Sequence, residues 1–143
     1  MRLRPLIFVG LAALSTLPAC DDRSYRQIGA AIDVLTAKVR DLPGPAIERL
    51  RKIGRRAVPQ IETAMHTASP HGKLNLIAAL DAIGEPESTA ILQHFAVYDA
   101  STQVREACEK VLAKWAAGND GRTKPAKLAI ARIAEKRRLG QTE

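Results

Sequence analysis

The chain contains 143 residues, which is enough for one domain of ordinary size and too few for two large ones. A hydrophobic share of 46% argues against a disordered chain, and an aromatic share of 3% argues against a surface on which nucleic-acid bases stack. Lys and Arg outnumber Asp and Glu by 22 to 15, a formal net charge of +7, and two cysteines are too few for a disulfide framework.

The N-terminus reads Met-Arg-Leu-Arg and continues with an apolar run from Leu6 to Leu14. A short apolar run behind basic residues is typical of a secretory signal peptide, and this run is too short to span a bilayer of about 30 Å. A buried first helix of the fold is the alternative, which the preceding arginines disfavour. We predict a signal peptide over residues 1–19.

The end of this segment, Leu17-Pro18-Ala19-Cys20, resembles the lipobox of bacterial lipoproteins. In that family the cysteine is diacylated on sulfur and the signal peptide is cut just before it. Pro18 departs from the family pattern, in which Ser, Ala or Thr is commoner. The resemblance implies that Cys20 is lipidated, that residues 20–23 form a tether, and that the protein is anchored outside the cytoplasm at the bacterial cell envelope.

Ordinary signal cleavage after Ser15, with Cys20 incidental, is the competing interpretation. Asp21 and Asp22 follow the cysteine directly. An Asp at this place resembles the inner-membrane retention signal of enterobacterial lipoproteins, but the rule varies between bacterial groups. The choice of membrane therefore stays open.

The remaining chain shows the apolar spacing of helices and none of the alternation typical of a half-buried strand. Ser24 with Gln27 is a candidate capping box for the first helix, and Cys108 and Trp115 fall in the apolar stripe of the sixth, where we expect both to be buried. The predicted helices cover residues 24–42, 45–54, 57–68, 72–84, 86–98 and 101–116, and a loop at 117–121 leads to a basic helix and tail at 122–143.

Parts of this series repeat. Leu50-Arg-Lys-Ile-Gly54 recurs as Leu80-Asp-Ala-Ile-Gly84, a shift of 30 residues. Each repeating unit is then a pair of helices. No pair can bury both of its faces alone, so the pairs must stack on one another.

Two stretches, Ile53-Gly54 before Ala57-Val58-Pro59 and Asp99 before Val104-Arg105, resemble the short HEAT-like repeat of bacterial proteins, the PBS-lyase type. The resemblance implies an all-α fold: a right-handed helical-hairpin solenoid of about three HEAT-like units over residues 24–116, with a C-terminal basic helix. It also implies that the turn Asp and the basic residue bond across the turn and to neighbouring units. The implied structural repeat residues are Pro59, Lys73, Asp99 and Arg105.

The second unit departs from the family pattern at two positions. Thr67 stands where the family has its turn Asp, and Gly72 stands where the family has Val. The third unit has Ile91 in place of the family's Pro.

Enzyme signatures are missing from the sequence. It has no Gly-x-Ser-x-Gly, His-Glu-x-x-His, Walker or Cys-x-x-Cys motif. His66 and His71 flank a turn and His94 lies on a different predicted helix, so we expect surface histidines. We predict no enzyme activity, no cofactor and no metal.

The predicted function is protein binding or scaffolding at an envelope membrane, with an unknown protein partner and a lipid anchor. The concave face that the second helices of such stacks line is the expected surface. Its candidate partner-binding residues are Arg49, Lys52, Asn75, Asp81 and Lys110. Two alternatives stay open: an enzyme or cofactor chaperone of the bilin-lyase type, and an orphan structural lipoprotein without a dedicated partner.

The C-terminal helix has two interpretations. Ile130, Ile133 and Ala134 suit a cap on the last repeat, while its cations suit anionic lipid headgroups beside the acyl anchor. Nucleic acid is not expected, because export and the small number of aromatic residues oppose it. The candidate lipid-contact residues are Arg132, Lys136, Arg137 and Arg138.

Overall fold

The computed structural model describes residues 20–37 and 43–140, with side chains from residue 22 onward. Within these residues every regular element is helical and there is no strand, which confirms the predicted all-α class. The predicted signal peptide and the lipobox-like residues before Cys20 lie outside the described residues. The helices are α1 (Cys20–Thr36), α2 (Gly44–Ile53), α3 (Val58–Thr67), α4 (Pro70–Ile83), α5 (Ser88–Tyr98), α6 (Thr102–Ala116) and α7 (Thr123–Gly140), with a 3-10 turn at Gly54–Ala57.

The first helix begins four residues earlier than predicted, at Cys20. Ser24 and Gln27 therefore lie inside α1, and the predicted capping box is wrong. Asp22 pairs with Arg26 one turn later, an i,i+4 ion pair that stabilises the additional N-terminal turn.

Two other helix starts differ from their predicted positions. Ser69 accepts a hydrogen bond from the Gly72 amide at 3.2 Å and caps α4, so this helix begins at Pro70 rather than at 72. Pro86 lies in a turn closed by the Thr89 amide, and α5 begins only at Ser88. The end of α4 has a local cause. Gly84, directly after it, has φ 71°, the left-handed conformation that ends many helices.

The helices pack as neighbouring pairs, with α1 on α2, α3 on α4 and α5 on α6. α4 is central, because it contacts α2, α6 and α1 as well as its own partner α3. α7 packs on α5 and α6. The largest fully buried side chains of the common core include Leu35, Leu50, Ile61, Met65, Leu76, Leu80, Leu92, Leu112 and Trp115.

The backbone of α1 passes close to the first turn of α4. A Cβ placed on Gly72 would lie 3.2 Å from the Thr36 Cα, and Asn75 donates a hydrogen bond to the Leu35 carbonyl at 2.9 Å. A branched side chain at position 72 would push α1 away. This close approach accounts for the glycine at position 72.

Candidate functional site

A buried ion pair joins α4 to the turn between α5 and α6. Asp99 is 8% exposed, and its Oδ2 lies 2.5 Å from the Lys73 Nζ. Its Oδ1 accepts a hydrogen bond from the Ser101 amide at 2.9 Å, an Asx-type turn at the start of α6. Both carboxylate oxygens are therefore occupied.

Arg105 binds the backbone of the same turn. Its Nη1 donates to the Asp99 carbonyl at 2.7 Å and to the Ala100 carbonyl at 3.1 Å, and its Nη2 donates to the Thr102 hydroxyl at 2.8 Å. The structure thus brings together three of the four predicted repeat residues. The fourth, Pro59, lies apart from them, exposed in the first turn of α3.

Burial alone would raise the pKa of the Asp99 carboxyl. The hydrogen bonds from Lys73 and from the Ser101 amide, with the charges of Lys73 and Arg105, outweigh burial and hold its pKa below the ordinary value. Asp99 is ionised at neutral pH, and each of its oxygens accepts a hydrogen bond. This geometry suits a structural link between two helix pairs.

The Cys108 thiol lies in the core near this turn. Burial raises its pKa to about 12, and the negative charges of Asp99 and Glu109 act in the same direction. The predicted burial of Cys108 is confirmed. The folded protein therefore holds Cys108 as the thiol at neutral pH, whereas nucleophilic reactions need the thiolate.

The Asp81 carboxylate accepts a hydrogen bond from a buried side chain. Its Oδ1 accepts from the Trp115 indole Nε1 at 2.9 Å, and the Lys114 Nζ lies 2.9 Å from its Oδ2. Trp115 is 1% exposed, so its predicted burial is confirmed, and Asp81 satisfies the donor that burial would otherwise leave unpaired. Sequence reasoning missed this contact, because the two residues are 34 positions apart.

The predicted partner-binding residues do not form one cluster. Asp81 is engaged with Trp115, and Asn75 is half-buried and bonded to α1. Arg49 lines a cleft with residues of α1. Lys52 on α2 and Lys110 on α6 remain exposed, and Lys52 lies 3.9 Å from Glu48.

The predicted cover by α7 is met in part: Ile133 is buried, and Ile130, Ile133 and Ala134 line a small cleft with Glu109 and Ala113 of α6. Ala126, Ala129 and Ile133 are buried, whereas Ile130 and Ala134 of the predicted cover are exposed. The reason is the crossing of α7 over both α5 and α6, which selects the side of α7 carrying two small alanines for close approach.

The cations of α7 differ in their surroundings. Arg137 pairs with Glu109 of α6, and this pairing raises the pKa of the guanidinium. Among the described side chains, Arg132, Lys136 and Arg138 have no acidic partner. Arg122, just before α7, lies over the Trp115 ring at 5.3 Å from its centroid.

Two of the histidines come together through folding. The rings of His66 on α3 and His94 on α5 lie 6.0 Å apart between centroids, and both contact the Phe95 ring. Across residues 20–37 and 43–140, no three His, Cys, Asp or Glu side chains are grouped closely enough to hold a metal ion. None of the helices in this part of the chain is long and apolar enough to cross a membrane.

Comparison with family models, curated proteins and solved structures finds no match for this chain.

Proposed function

We propose that this protein is a lipid-anchored protein of the bacterial envelope that binds a protein partner through a stack of helical hairpins. The observation that carries the proposal is the packing of α4 between α2 and α6. These are the second helices of the three pairs, and their row is what a HEAT-like solenoid of right-handed sense would place on its concave side. The anchor is Cys20 of the lipobox-like Leu17-Pro18-Ala19-Cys20, and Cys20 is the first residue of α1.

Contacts between successive pairs support a stiff stack. The Lys73–Asp99 and Trp115–Asp81 contacts join the second pair to the third. Arg55, after α2, pairs with Glu87, before α5, at 2.7 Å. A surface held by such links is preorganised, and preorganisation lowers the entropy cost of binding.

The helix α7 supports this arrangement as an end cap. It buries Ala126, Ala129 and Ile133 against α5 and α6 and presents charged residues outward. Terminal repeats need such a polar outer face to stay soluble.

The partner-binding surface proposed here is formed by the solvent-facing sides of α2, α4 and α6 and includes the exposed residues Lys52, Ala78 and Lys110. Ala78 is the exposed residue in the middle of α4, and Leu74, one turn earlier, is half-buried. Lys110 has no acidic partner among the described side chains. A small apolar centre with lysines on the neighbouring helices fits a partner with an apolar contact surrounded by carboxylates.

Site-specific photo-cross-linking in intact cells tests this surface. With a photoreactive amino acid in place of Ala78, we expect an adduct with one envelope protein. The same replacement at Ala131, an exposed alanine of α7, is the matched control and should give none. Lys52→Glu with Lys110→Glu should lower the adduct at least about tenfold, because like charges then face the partner. Two results would exclude this surface: equal adduct yields from positions 78 and 131, or an adduct yield that does not change when the two lysines are replaced.

A further inference from the structure

A cleft of about 470 Å³ lies between α1 and α2, close to the N-terminal end of the described chain. Arginines from both helices line it. Its lining residues are Asp22, Arg23, Arg26, Gln27, Ala30 and Arg49.

The cleft has an excess of positive charge. Its lining includes three arginines and one carboxylate, Asp22, which is already paired with Arg26. Arg23 and Arg49 have no acidic partner among the described side chains. Glu48 precedes Arg49 in α2. Its carboxylate accepts hydrogen bonds from the Nε and Nη2 atoms of Arg51 at 2.7 and 2.8 Å.

An anion in the cleft would relieve the repulsion between these guanidinium groups. Guanidinium groups present planar forks of N–H donors that match the oxygens of a phosphate. Arg23 and Arg49 come from different helices, so a phosphate between them would receive donors from two directions. The cleft is large enough for a phosphate group with a short polar substituent.

The position of the cleft indicates the source of that phosphate. Cys20 begins α1, and a helix rises about 1.5 Å per residue, so Arg23 and Arg26 lie about 5 and 9 Å from it along the helix axis. Acyl chains on Cys20 would hold this end of α1 at the headgroup layer. We propose that the cleft binds the phosphodiester of an anionic phospholipid headgroup, and this step rests on the lipid anchor of the proposed function.

The basic helix α7 is a different surface. It packs on α5 and α6, whereas α1 packs on α2, α3 and α4. Its exposed cations Lys124 and Lys127, which are not among the candidate lipid-contact residues, therefore provide a control with the same change of charge, made away from the cleft.

Native mass spectrometry of the full chain, purified in neutral detergent, tests the proposal. Phosphatidylglycerol and phosphatidylcholine are added in equal amounts, and the retained lipids are counted. Arg23→Gln with Arg49→Gln should lower phosphatidylglycerol retention about thirtyfold, since a cation near an anionic surface contributes about fivefold. Lys124→Gln with Lys127→Gln should leave preferential retention at the cleft unchanged.

Three results would overturn the proposal. They are equal retention of the two lipids, the same loss from both double variants, and complete displacement of the lipid by millimolar inorganic phosphate, which would make the ligand a soluble anion. The mass of the same protein reports whether Cys20 is acylated. A cleft that retains phosphatidylglycerol on an unacylated chain would contradict the anchor and leave the binding site standing, so the two failures are distinguishable.

Discussion

Asp99→Ala is expected to lower the free energy of unfolding by about 3 kcal/mol, because it leaves the Lys73 ammonium in a largely buried place without its partner. The Lys73 side chain is 16% exposed, so the loss of folding free energy should fall at the lower end of the range for buried ion pairs. The Ser101 amide loses its acceptor as well. Urea denaturation of the full chain, followed by circular dichroism, measures the change.

Glu48→Ala is the matched control for this substitution, since it removes a carboxylate from an exposed ion pair with Arg51. Exposed pairs contribute little to stability, and the control should unfold at nearly the urea concentration of the unchanged chain. Equal and small losses from both variants would show that Asp99 does not link the two helix pairs.

The same carboxylate gives stability a defined pH dependence. The pKa of Asp99 is lower in the folded than in the unfolded chain. Its contribution is therefore complete above the unfolded value of about 3.9 and is lost as pH falls toward the folded value. The acid-induced loss of stability in this window should be smaller in Asp99→Ala than in the unchanged chain.

Trp115→Ala is expected to cost about 3–5 kcal/mol, a large part of the stability of a small domain. The indole is fully buried, contacts the Arg122 guanidinium and donates to Asp81. Its removal leaves both a cavity and a carboxylate without its buried donor. Urea denaturation again measures the loss.

Trp115→Phe separates the two effects, because it keeps most of the apolar volume and removes the N–H donor. Its loss of folding free energy should lie between zero and the loss in Trp115→Ala. Since Trp115 is the single tryptophan, the native fluorescence of the unchanged chain should be blue-shifted relative to the unfolded chain. Identical emission from both states would contradict burial of the indole.

Local signals in the sequence were sufficient to predict which segments are helical, but not all of the helix ends: α1 ends at Thr36 and not at 42. Apolar spacing and the stops at Gly54 and Gly84 act within one or two turns, so they are visible without tertiary structure. The burial of Cys108 and Trp115 follows from the same periodicity. The extra first turn of α1, which carries the Asp22–Arg26 pair, was not predicted, because Ser24 and Gln27 matched the pattern of a capping box.

The candidate sites depend on how the helices cross, which local signals do not report. Asp81 was expected on the partner surface, but the packing of α6 on α4 directs it to the Trp115 indole. Arg49 was also expected on the partner surface. In the fold it lines the cleft between α1 and α2, together with Arg23 and Arg26. Gly72 lies at such a crossing, where the backbone of α1 approaches α4.

Mass spectrometry of the mature N-terminus tests the envelope anchor most directly. From bacteria that express the full chain, we expect an N-terminal peptide that begins at Cys20 and carries the added mass of two or three acyl chains. Cys20→Ser should abolish that mass and leave the chain uncut or released from the membrane. An unmodified N-terminal peptide beginning at Thr16 would contradict the anchor.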